Sequence, residues 1–177
     1  MEQIKKTVRA GRIGPGVTDQ FYVDEDINIP EAKYDAARVV YSSGRIHVED
    51  IRPAEHYARV TGRLSYQILY ETEDGGGQLS SLAGRLPFEE MVYMEEEPKD
   101  QLFVRGATAE VSVTLINSRK MNLKASVDLT IGSEGAEEEQ ITADMEEEST
   151  VYKKFSEREI LELCTVQKDV YRIKEEI

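Results

Sequence analysis

ARVTGRLSYQILY, from Ala58 to Tyr70, places Ala58, Val60, Leu64, Tyr66, Ile68 and Tyr70 on one face and Arg59, Thr61, Arg63, Ser65 and Gln67 on the other. A period of two is the period of a strand whose successive side chains point to opposite faces, so one face is read as core and the other as solvent. The same pattern recurs at Ala107, Ala109, Val111, Val113 and Leu115, and again at Met121, Leu123, Ala125, Val127, Leu129 and Ile131. Asn117-Ser118-Arg119-Lys120 joins these two runs as a short polar connection that closes a hairpin.

Working outward, weaker alternation marks strands over Ile4–Ala10, Arg45–Ile51, Leu79–Leu86 and Gln140–Met145. Turn chemistry falls between them at Ser43-Gly44, Arg52-Pro53, Asp74-Gly75-Gly76-Gly77, Pro98-Lys99-Asp100 and Ser133-Glu134-Gly135. One short helix is predicted near Tyr34–Tyr41, after Pro30, because Ala36, Ala37, Val39 and Val40 fit neither alternation nor a turn. The fold class is therefore all-β, an antiparallel β-sandwich or barrel-like module with one short helix.

The C-terminal stretch bears on domain organisation. KDVYRIKEEI, Lys168–Ile177, lies over TDQFYVDEDI, Thr18–Ile27: Asp169 meets Asp19, Tyr171 meets Phe21, Ile173 meets Val23, and Glu175-Glu176 meets Glu25-Asp26. The expectation is a β module over residues 1–145, followed over residues 146–177 by a connector and the truncated start of a second repeat from a longer tandem protein. That last strand could also pair with a neighbouring copy.

The 177 residues suffice for one domain with a real core, and Lys plus Arg number 22 against 35 for Asp plus Glu, a net charge of -13. Nucleic-acid backbones and anionic membrane surfaces need a basic footprint, so a cationic partner is the natural expectation. A single Cys164 leaves no intrachain disulfide, no apolar stretch reaches membrane-span length, and a soluble cytoplasmic protein is expected.

Each chemistry-bearing group in the sequence has a plainer structural reading. Asp24, Asp26 and Asn28 have the opening spacing of an EF-hand loop, but the sixth and twelfth positions are Ile29 and Asp35, and the flanks alternate like a strand. Same-face strand residues sit about 6.6 Å apart, too far for three in a line to close on one ion. His47 and His56, with Glu49, Asp50 and Glu55 nearby, lack any metal-ligand spacing and read as exposed or edge histidines. Cys164 reads as a small hydrophobe, Asp74–Gly77 as a hairpin tip and not a phosphate loop, and no GxSxG is present. Tyr66 and Tyr70 fit the apolar face, and the chain contains no Trp for sugar stacking. No metal, cofactor or catalytic set is predicted.

The acidic runs Glu95–Glu97, Glu137–Glu139 and Glu146–Glu148 keep edges soluble, or offer a docking surface to a basic partner. PFEEMVYMEEEP, Pro87–Pro98, mixes Phe88, Met91, Val92, Tyr93 and Met94 with carboxylates as an interface core with a charged rim would. The candidate interaction residues are Phe88, Glu89, Glu90, Met91, Tyr93, Glu95, Glu96 and Glu97.

DQFYVDEDINIPEAK, GRIHVEDIRPAEHYARVTGRLSYQILYET, LPFEEMVYMEEEP and VTLINSRKMNLKASVDLTI together resemble the SPOCS domain, the module of SipL-type spore coat morphogenetic proteins of clostridial-type Firmicutes. The resemblance spans roughly Thr18–Gly132 and resumes at Lys168. It implies tandem SPOCS modules, a C-terminal LysM domain in many members, and a non-catalytic scaffold role. In that role the protein tethers the coat basement layer, built by a morphogenetic ATPase, to the forespore surface in the mother cell. The partner implied is that ATPase or another coat protein. No LysM segment appears in this sequence, and a carbohydrate-binding module for spore cortex or cell-surface glycans is the alternative.

Overall fold

The computed structural model describes residues 2–73, 77–95 and 101–146, with 156, 157 and 159. Every regular element in them is a strand: β1 Glu2–Ile13, β2 Val17–Asn28, β3 Ala36–Ala54, β4 Tyr57–Thr72, β5 Leu79–Tyr93, β6 Gln101–Asn117 and β7 Lys120–Glu146. They fall into two compact units, one of Gly14–Ser133 and one of Met1–Ile13 with Glu134–Ile177.

The Gly14–Ser133 unit contains two antiparallel sheets. In one, the first half of β7 lies between β2 and β6, and β2 runs against it without interruption from Val17 opposite Ile131 to Asn28 opposite Lys120. In the other, β4 lies between β3 and β5. The alternating faces read from the sequence fill the space between them. Val60, Leu64, Ile68 and Tyr70 of β4 and Met121, Leu123, Val127, Leu129 and Ile131 of β7 are at most 1% exposed. Alternate residues Ala107 to Leu115 of β6 pack against this cluster at its margin.

The flanks are partly closed, which explains why sandwich and barrel looked alike in sequence. Ser42 Oγ on β3 donates to the Val111 carbonyl on β6 at 3.1 Å. On the other flank the rings of Phe21 on β2 and Phe88 on β5 meet at 5.1 Å. Gly44 fits the first flank because a Cβ there would stand 2.3 Å from Val111 Cγ2.

Several local expectations are corrected. Tyr34–Tyr41 forms no helix; β3 begins at Ala36, and its register shifts between Ala36 and Arg38 and again between Val39 and Tyr41. Those bulges break the alternation that would have revealed a strand. Ser43-Gly44 is strand interior, and Arg52-Pro53 is the end of β3, where an edge strand tolerates a proline. The turn itself is Glu55-His56, with Glu55 at φ +53°. Ser133-Glu134-Gly135 does not interrupt β7 either; there the strand changes partner from β2 to β1. Ser118-Arg119 is the predicted turn between β6 and β7. Pro98-Lys99-Asp100, most of the Asp74–Gly77 tip, Cys164 and the Lys168–Ile177 echo lie outside the described residues.

In the other unit β1 pairs antiparallel with the second half of β7, from Glu2 opposite Glu146 to Ile13 opposite Glu134, with one irregularity at Ile4 and Lys5. Part of the Glu137–Glu139 run is spent on this ribbon: Arg9 stands opposite Glu138, and the Arg12 guanidinium is 3.9 Å from Glu137.

Candidate functional site

The segment proposed from sequence as an interface is the second half of β5, and the strand period divides it. Phe88 turns inward against Phe21 and over Gly62, where a Cβ would lie 2.7 Å from the Phe88 ring. Val92 and Met94 are buried, and the Met94 amide donates to the His56 carbonyl at 2.7 Å. Glu90 is half-buried. These residues hold β5 to the core and offer little to a partner.

Met91 and Tyr93 point outward, 41% and 57% exposed. Tyr93 stands opposite Tyr57 of β4, and their rings meet edge to face at 5.5 Å. Met91 stands opposite Arg59, whose Nη2 donates to Glu89 Oε2 at 2.8 Å. That bond, reinforced by the Glu89 charge, holds the Arg59 pKa above its ordinary value. Glu95 is exposed beyond the strand end, and Glu96 and Glu97 lie outside the described residues. The assembled patch is thus Tyr57, Tyr93 and Met91 beside the Arg59–Glu89 pair, an apolar centre with a charged margin.

Tyr57 and Arg59 were missed because the docking segment was read as one continuous stretch, whereas an outward patch is made of cross-strand neighbours. The signal was present in the opposed polar face of β4. The outer face of the β3–β4–β5 sheet is also richer in arginine than the net charge suggests. Arg38, Arg45 and Arg52 on β3, Arg59 and Arg63 on β4, and Arg85 on β5 are all exposed.

Asp24 and Asp26 form a polar ladder across β2 and β7. Asn122 Nδ2 donates to Asp24 Oδ1 at 2.7 Å and to Asp26 Oδ1 at 3.1 Å, while Lys124 and Lys120 pair with Asp24 and Asp26 at 3.2 and 2.7 Å. These bonds lower both carboxyl pKa values, led by Asn122 for Asp24 and by Lys120 for Asp26. The strand reading of this stretch is correct. Among the described residues no group of three or more His, Cys, Asp or Glu side chains is placed to hold a metal ion. His47 is on the exposed face of β3 and His56 in the turn, while Glu49 pairs with Arg63 at 3.1 Å and Asp50 pairs with Arg52.

Residues 35–116 match the family described as SipL, SPOCS domain. No curated protein and no solved structure matches the chain.

Proposed function

Residues 35–116 carry a SPOCS domain of the SipL type, and from that premise we propose that the chain serves sporulation as a protein-binding scaffold module. The SPOCS domain is a non-enzymatic domain type, and the family points to a role connected with the spore coat. The finer reading is that this module helps tether basement-layer components at the forespore surface, on the mother-cell side. Its partner would be the morphogenetic ATPase or another coat protein.

The observation that carries this reading is the patch of Tyr57, Tyr93 and Met91. Aromatic and methionine side chains standing in water at a sheet end, rimmed by Arg59 and Glu89, have the composition of an interface centre with a polar rim. Burying tyrosines gains area at little cost in side-chain entropy. A sugar ring could stack on the same tyrosines, although edge-to-face packing spoils the flat platform that stacking uses.

The test compares the wild-type chain with a Tyr57→Ser/Met91→Ser/Tyr93→Ser variant for retention of purified morphogenetic ATPase and of immobilised peptidoglycan. Retention of the ATPase by the wild type and its loss in a folded variant is the expected result. Tight retention of peptidoglycan with no protein bound would replace the scaffold reading by the glycan one.

A further inference from the structure

We propose that the outer face of the β3–β4–β5 sheet contains a binding groove for an extended acidic peptide, centred on Arg45 and Arg85. This groove is separate from the tyrosine patch and does not depend on the scaffold reading.

A depression of about 670 Å³ crosses all three strands and is lined on its outer face by Tyr41, Ser43, Arg45 and His47 of β3, Ser65 and Gln67 of β4, and Ala83 and Arg85 of β5. Among the described residues no Asp or Glu lines it. That is unusual in a chain with 35 acidic residues and a net charge of -13. The other arginines of this face are already matched: Arg38 with Glu71, Arg52 with Asp50, Arg59 with Glu89 and Arg63 with Glu49. Arg45 and Arg85 have no carboxylate partner among the described residues.

Register places these two cations deliberately close. Arg45 stands opposite Ser65 on one side and Arg85 opposite Ser65 on the other. Two interstrand spacings separate their backbones, about 10 Å, which an extended peptide spans in about three residues. Guanidinium forks match carboxylates in a bidentate geometry. Between and beside them, the side chains of Ser43, His47, Ser65 and Gln67 make no hydrogen bond within the described residues, so their donors and acceptors are free for a ligand backbone.

The surroundings decide among anions. A polyanion such as a nucleic acid, or an anionic membrane, would meet the field of the whole acidic chain and needs a broad basic surface. A short peptide can set two carboxylates on the local cations while its remaining charge stays in solvent, where salt near 0.1 M screens it beyond about 10 Å. The groove is larger than a single small anion requires, and among the described residues Tyr41 is its only exposed aromatic wall, which favours a peptide over an acidic glycan.

Fluorescence anisotropy with a labelled, end-blocked pentaglutamate at about 0.1 M salt tests this on the full chain, with pentaglutamine and pentalysine as controls. Saturable binding of pentaglutamate alone is expected, weakened roughly five- to ten-fold in Arg45→Gln/Arg85→Gln, as the loss of two exposed ion pairs implies. Arg38→Gln, off the groove and paired with Glu71, should bind like the wild type. Equal affinity in the double variant, or no binding of pentaglutamate, would overturn the site. Tighter, Arg45-dependent and Arg85-dependent binding of an oligogalacturonate would overturn the peptide assignment in favour of an acidic glycan.

Discussion

Gly84 shows how one residue carries the packing of a strand edge. It stands beside Tyr66, and a Cβ at this position would lie 2.3 Å from the tyrosine oxygen and 2.5 Å from Cζ. Tyr66 is itself buried, which raises its pKa, so its ring has little room to yield. Gly84→Ala should therefore lower stability by about 1–3 kcal/mol, the usual cost of overpacking. In a Tyr66→Val background the same substitution should cost clearly less, and denaturant unfolding of the four chains reads the coupling. At the solvent face, Asp24 and Asp26 make a pH prediction. Their folded pKa values are lowered from 3.8, so any stability they add is complete above that value and is lost as pH falls through the lower, folded values. Carboxyl carbon NMR should find both midpoints below 3.8, with Asn122→Ala raising both and Asp24 the more, since Asn122 is its largest cause.

Among the elements, the connection from β2 to β3 depends on a residue of a different turn. Arg119, between β6 and β7, donates through Nη1 to the Lys33 carbonyl at 2.6 Å and Asp35 Oδ1 at 2.9 Å. Its Nη2 donates to the carbonyls of Ile29 and Pro30 at 3.3 and 3.0 Å. A planar fork with several fixed donors can hold these acceptors together, and a lysine ammonium cannot reproduce its geometry. Arg119→Ala should cost about 1–3 kcal/mol by thermal or urea unfolding, and Arg119→Lys should recover only part of it. None of this was visible in the sequence, where Arg119 was simply a polar hairpin residue; the carbonyls it gathers lie some 90 positions away in the chain. The strands that were legible, β4, β6 and the first half of β7, alternate without interruption because each keeps one face on the core. β3 was read as a helix followed by a turn and a strand because bulges shift its register at three places and Gly44 interrupts it for packing reasons. The candidate interface was legible in composition but not in orientation: Met91 and Tyr93 stand exposed, Phe88 turns inward against Phe21, and Tyr57 joins them from the neighbouring strand.

For the molecule as a whole, the family match and the folding unit have different limits. Residues 35–116 contain β3, β4, β5 and nearly all of β6. The compact unit runs from Gly14 to Ser133 and adds β2 and the first half of β7. Those additions supply seven of the nineteen buried core residues. Met121, Leu123, Ala125, Val127, Leu129 and Ile131 present a continuous buried face, and β2 brings Phe21 to Phe88 and buries Ile27. Without them, the inward faces of Val60, Leu64, Ile68 and Tyr70 would stand in water, and burying each large side chain contributes about 1.5–3 kcal/mol. β6 would also lose its ladder partner. A sheet of three strands with one uncovered apolar face has no second layer against which to bury it. Residues 35–116 expressed alone should therefore lack a cooperative thermal transition and show poorly dispersed amide NMR signals, whereas residues 14–133 should unfold cooperatively and give dispersed spectra. If the shorter piece gave the dispersed spectrum and sharp transition of the longer one, the first half of β7 would be a cover on an already stable module and not part of its core.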